Sequence, residues 1–104
     1  MGHIYTLLNT LLSLLTNTLL SLTLHHSLMH PTEVSANRTR ASTLLETIKV
    51  TLDTYRSMVK GRVEDLALQH TPPTPSVQKH IDNLARLERD IESFEHEVEQ
   101  LYEG

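Results

Sequence analysis

The stretch from Val77 to Leu101, VQKHIDNLARLERDIESFEHEVEQL, decides the fold. Val77, Leu84, Ile91 and Val98 stand seven residues apart, and His80, Leu87, Phe94 and Leu101 follow each of them by three. Apolar residues at alternating spacings of three and four share one stripe of an α-helix, because about 3.6 residues complete a turn. Seven of these eight positions are apolar, so the segment reads as a coiled-coil helix with a single polar layer at His80. Its flanks are acidic, with Glu88 and Glu95 on one side and Asp90 and Glu97 on the other. Two copies of this helix laid together would oppose like charges, which disfavours a homodimer through it.

Upstream of this helix lies a break, HTPPTPS at 70–76. Thr74 suits the N-cap and Pro75 the first helical position, where a missing N–H costs nothing. Before the break, Leu45, Ile48, Leu52, Tyr55, Val59 and Leu66 keep the same spacing of three and four, and their flanking residues Lys49 and Arg56 are basic. Folding the chain back at 70–76 sets Leu45 against Leu101, Ile48 against Val98, Leu52 against Phe94, Tyr55 against Ile91, Val59 against Leu87 and Leu66 against His80. Lys49 then meets Glu95, and Arg56 meets Glu88. The predicted unit is an antiparallel coiled-coil helical hairpin of residues 32–70 and 74–102, within a region 32–104. Gly61, Arg62 and His80 interrupt its seam near the turn, where a kink is expected. Thr43 and Glu46 fit a capping box for a helix start.

The remaining region, 1–31, contains no Asp, Glu, Lys or Arg, yet holds eleven of the nineteen leucines. NTLLSL occurs at Asn9–Leu14 and again at Asn17–Leu22. A repeat of eight turns a helix about 80° beyond two full turns, which spreads the leucines over a broad face. The region reads as a third, leucine-rich helix, ended by His30-Pro31, that completes a three-helix bundle or joins a larger helical assembly. Leu8, Leu11, Leu12, Leu15, Leu19 and Leu22 form its candidate partner-binding face. Residues 4–24 also have the length of a membrane span. Nine of those twenty-one residues are polar, however, and no basic segment precedes them as a signal peptide requires.

Composition narrows the chemistry. The chain has 104 residues and a net charge of −4, and its acidity is local: the segment from Thr71 onward carries eight acidic and three basic residues. With nine Lys and Arg in all, no broad phosphate-binding surface forms, and no nucleic-acid partner is expected. The absence of Cys removes thiol catalysis and cysteine zinc sites. His26 and His30 share a helical spacing beside Met29, but no third ligand accompanies them. Asn37-Arg38-Thr39 forms a glycosylation sequon, Met1 to Thr6 fits the loose myristoylation pattern, and Thr71-Pro72 and Thr74-Pro75 match proline-directed phosphorylation sites. Ordinary turn and helix roles account for all of these residues.

With no catalytic constellation, metal site or cofactor loop, the sequence predicts a non-enzymatic helical subunit, a scaffold or adaptor in a multi-protein assembly with helical, heteromeric partners. The acidic surface from Asp90 to Glu103 suits a basic partner. The expected location is cytoplasmic or nuclear. The alternative is a membrane-associated adaptor, anchored by residues 4–24 with the hairpin in the cytosol.

Overall fold

A computed structural model describes residues 1–24 and 30–103, which form three helices and no strand: α1 (Gly2–Leu24), α2 (Pro31–Leu68) and α3 (Pro75–Glu103). Together they make an all-α three-helix bundle in which α2 is the spine on which both other helices pack. At about 1.5 Å per residue, a helix of 38 residues is about 57 Å long. The molecule measures 59 × 21 × 15 Å, so the length of α2 is the length of the protein.

The helix boundaries follow local chemistry. At the start of α2, Pro31 fixes the first turn and the His30 ring nitrogen Nδ1 accepts from the Thr32 backbone N–H at 3.2 Å. A helix that begins there runs through Thr43, which lies well inside α2, and the Thr43 carbonyl accepts from Thr47 Oγ1 at 3.0 Å. The capping box expected at Thr43 and Glu46 is therefore absent. Gly61 does not interrupt α2 either, because the helix is held on both sides by buried Val59 and Leu66.

At its far end α2 closes with a left-handed residue, His70, at φ 55°. The His70 N–H bonds the Ala67 carbonyl at 3.0 Å, and the Thr71 N–H bonds the Leu66 carbonyl at 2.9 Å. This pattern is a Schellman C-cap with histidine where glycine is usual. Four residues later Thr74 caps α3 as expected: its Oγ1 accepts from the Val77 N–H at 3.2 Å, and its carbonyl from the Gln78 N–H at 2.8 Å.

Both neighbours run antiparallel to α2. Tyr5 meets Tyr55 while Ser21 and Thr18 lie beside Asn37 and Arg40, so numbers rise along α1 as they fall along α2. The hairpin of α2 and α3 is fixed by Lys49–Glu95 at 3.6 Å and Arg56–Glu88 at 3.3 Å, the two ion pairs that the charge pattern predicts. The core holds Leu8, Leu15, Ile48, Tyr55 and Leu87 with no measurable exposure.

Helix α1 carries polar residues without charge, and the way it does so explains its packing. Thr10, Thr16, Thr18 and Thr23 each return a hydroxyl to the carbonyl four residues back, and the Asn9 amide donates to the Tyr5 carbonyl at 3.1 Å. A hydroxyl satisfied by its own helix can be buried at little cost, and Thr18 is.

Candidate functional site

Of the predicted seam, Leu45, Ile48, Leu52, Tyr55, Val59, Leu66, Val77, Leu87, Ile91 and Val98 are buried, and Leu84, Phe94 and Leu101 are half-buried against the same core. The leucines predicted as a candidate partner-binding face lie inside the chain: Leu8, Leu12, Leu15, Leu19 and Leu22 are buried and Leu11 is half-buried. The reason is geometric, since the groove between α2 and α3 admits one face of α1 and takes that one. What α1 leaves outside is a different set, Leu7, Leu14 and Leu20, each nearly half exposed at 46, 49 and 48%.

His80 departs from its predicted place. The pairing of hydrophobic layers sets it opposite Leu66, but its Nδ1 lies 2.6 Å from the Tyr55 hydroxyl, eleven residues or about 16 Å further along α2. Tyr55 is fully buried, and a buried phenol hydroxyl needs a polar partner. His80 is the polar member of the α3 seam and supplies it, with the His80 carbonyl as a second acceptor at 3.4 Å.

Tyr5 of α1 completes this cluster. Its ring stands 6.0 Å from that of Tyr55 and edge-on to that of His80 at 6.3 Å. Arg86 of α3 donates to the Tyr5 hydroxyl at 2.6 Å and covers its ring at 5.9 Å. All three helices thus meet at one polar cluster. Burial raises the Tyr55 phenol above its ordinary pKa and neighbouring Tyr5 adds to this, while a hydrogen bond from Asn83 and the charge of Arg86 act the other way. The spacing of Tyr5 gave no sign of this role, because the residue lies on the flank of the leucine stripe.

The charged edge of the hairpin is a second feature. Arg56 bonds both Glu88 and Asp53. Burial works against its charge, but the two carboxylates outweigh it and raise its pKa. These groups line a shallow groove of about 230 Å³ with Lys49, Leu52 and Ile91. Lys49 pairs there with Glu95, and Arg56 with Glu88 and Asp53, so these charges hold the seam together.

Two further hollows are open grooves between helices. One of about 430 Å³ lies between α1 and α2, lined by Leu14, Thr18, Ser21, Asn37, Arg40 and Leu44. Another, of about 260 Å³, lies between α1 and α3 around Leu20 and Phe94. Among the described residues no group of three or more His, Asp or Glu converges as metal ligands. His30 caps α2, while His26 and Met29, weighed with it as ligands, lie outside the described residues. His70 and His96 are exposed, and so are Thr71 and Thr74.

No family model, curated protein or solved structure matches this chain.

Proposed function

We propose that this chain is a non-enzymatic helical subunit, a scaffold or adaptor that lends coiled-coil-type helices to a larger protein assembly. The observation that carries this reading is the set of large apolar side chains left outside the bundle, Leu7, Leu14 and Leu20 on α1 with Val50, Met58 and Leu68 on α2. Exposed apolar surface on a small protein, where it gathers into a patch, usually marks an interface. Shallow grooves between helices are the form in which another helix docks, through side chains at spacings of three and four. The outer face of α3, with Glu92 and Glu99 exposed around Arg89 and His96, suits a basic partner.

The test is the native mass of the tagged full chain in extracts of its own cells. The expected result is a stoichiometric complex well above a dimer of the 11.8-kDa chain, which loses its partners when Glu92 and Glu99 are both changed to Lys. A lone monomer or dimer in those extracts would overturn the proposal.

A second reading is favoured by one observation. Gly2–Thr23 is long and apolar enough to cross a membrane by length and composition, with a mean hydropathy of 1.2. Insertion would require α1 to leave α2, uncovering Ile48, Leu52 and Tyr55 to water. Resistance of the full chain to carbonate extraction, lost on deletion of residues 1–30, would favour the anchor over the bundle subunit.

A further inference from the structure

Helix α3 carries two acidic flanks, and the fold answers only one of them. Glu88 and Glu95, seven residues apart, meet Arg56 and Lys49 of α2, which are also seven apart. On the other side of the same seam stand Asp90 and Glu97, again seven residues or about 10.5 Å apart. This flank faces α1, which has no charged side chain to offer. Both carboxylates are exposed, and among the described residues neither forms an ion pair. Arg86, one turn before Asp90, donates to the Tyr5 hydroxyl instead, and Arg89 lies on the outer face of α3. The two carboxylates stand on the rim of a groove. Helices α1 and α3 both pack on α2 and scarcely approach each other, so the line between them stays open. Two hollows, of about 370 and 260 Å³, join along it at Thr16 and Phe94. Phe94 is four residues past Asp90 and three before Glu97, and it is half-buried, while Leu20 on the α1 wall is 48% exposed. Polar groups of that wall already bond their own helix: Asn9, Thr16 and Thr23 donate to the carbonyls of Tyr5, Leu12 and Leu19. From Asn9 to Thr23 the groove runs for about 21 Å.

An apolar trough with two carboxylates along one rim repeats the seam that α2 already fills. We infer that the groove between α1 and α3 docks one helix of a partner protein, which carries Lys or Arg at two positions seven residues apart and an apolar residue between them. The apolar residue packs on Phe94 and Leu20, and the two cations reach Asp90 and Glu97. Within the chain, Lys49 and Arg56 bracket Leu52 and reach Glu95 and Glu88 in the same manner. A helix of four turns spans the groove, and at about 8–10 Å from each wall it completes a four-helix bundle. The stems of its Lys or Arg residues lie along the apolar floor while their charges meet the rim. Flanking charge of this kind selects the helix and its register, and the apolar contact supplies affinity. A second copy of the chain carries two basic residues seven apart around an apolar one only at Lys49 and Arg56, which its own α3 engages. An anionic membrane surface is repelled by Asp90 and Glu97. This inference rests on the reading of the chain as a subunit with helical partners, and names where one such helix sits and what it carries.

Fluorescence anisotropy of the purified full chain with a labelled three-heptad synthetic helix, leucine at its seam positions and lysine on both flanks, tests it. The expected result is saturable binding at micromolar concentration. Asp90→Lys with Glu97→Lys raises the dissociation constant at least about tenfold, while circular dichroism shows unchanged helix content, since both sites are exposed and Lys suits a helix. Glu92→Lys, on the outer face of α3, leaves the constant within about twofold. With glutamate in place of lysine, the synthetic helix binds the doubly substituted chain and not the parent, a reversal that loss of folding cannot mimic. Absence of binding up to about millimolar concentration would overturn the inference, as would binding indifferent to the double substitution. So would a dimer of the purified chain that Leu20→Lys dissolves, which would put a second copy in the groove, or a chain that floats with phosphatidylcholine vesicles and ignores the synthetic helix. A large complex in cell extracts beside any of these results would remove the groove and leave the proposed function standing, whereas a lone chain in those extracts would overturn that function.

Discussion

The two seams of the bundle use α2 in different ways. Between α2 and α3, apolar layers are framed by Lys49–Glu95 and Arg56–Glu88, and the buried hydroxyl of Tyr55 finds His80. Between α1 and α2 there is no ion pair, because α1 contains no charged side chain. Leu8, Leu12, Leu15 and Leu19 fill that seam, and a slide of α1 by one turn would put Ile4, Leu8, Leu11 and Leu15 in their places. The hairpin is therefore held by position-specific contacts, whereas α1 is held by quantity of apolar surface. Its position is set mainly at one end, where Tyr5 meets Tyr55, His80 and Arg86. Strength and register are separate properties here, and the two seams divide them.

The largest expected effect tests strength. Leu15→Ala, at a site with no exposure, destabilises the fold by about 2–5 kcal/mol in chemical denaturation, because it opens a cavity in the leucine seam. Register is tested by Tyr55→Phe, which costs about 1 kcal/mol through loss of the hydroxyl partner of His80. The same substitution changes the response to alkali. The Tyr55 phenol has a raised pKa in the fold, so its contribution is fully present below its unfolded value near 10 and is lost as pH rises from there through the folded value. Stability of the parent chain should fall more steeply than that of Tyr55→Phe over this interval, and equal slopes would show that the phenol is not held neutral by burial.

Changes of opposite sign separate backbone effects from both seams. Gly61→Ala meets no atom within 4 Å and should add about 0.5–1 kcal/mol. His70→Gly relieves the left-handed cap at φ 55° and should add about 1 kcal/mol, readable as a higher melting temperature. The smallest effect belongs to the charged edge. Removing one partner of an exposed pair, as in Glu88→Gln, costs about 0.3–0.5 kcal/mol, and salt should reduce that difference further.

Legibility in the sequence follows the same division. The hairpin was readable because Val77 to Leu101 and Leu45 to Leu66 repeat at one period and carry opposite charges, so both the pairing partner and the ion pairs follow. His80 was misplaced because matching apolar layers treats a histidine as a defect in the seam, whereas the fold uses it to satisfy a phenol. The helix start at Pro31 outranked the apparent cap at Thr43, since a proline at the first turn is a stronger local constraint than a threonine whose hydroxyl can return to its own helix. Which leucines of α1 stay outside was not readable at all. With Leu on most sides of that helix, only the shape of the groove it fills selects Leu7 and Leu14 for the surface.

The central place of α2 has a consequence for how the chain acquires its structure. Both of its helical neighbours are its neighbours in sequence, so nearly all contacts join segments a short loop apart. Topologies of this local kind close small loops, lose little chain entropy before contacts form, and belong to the class that folds in microseconds to milliseconds. For a protein whose first helix is a run of leucines without a single charge, that speed shortens the interval in which those leucines face water and other unfolded chains.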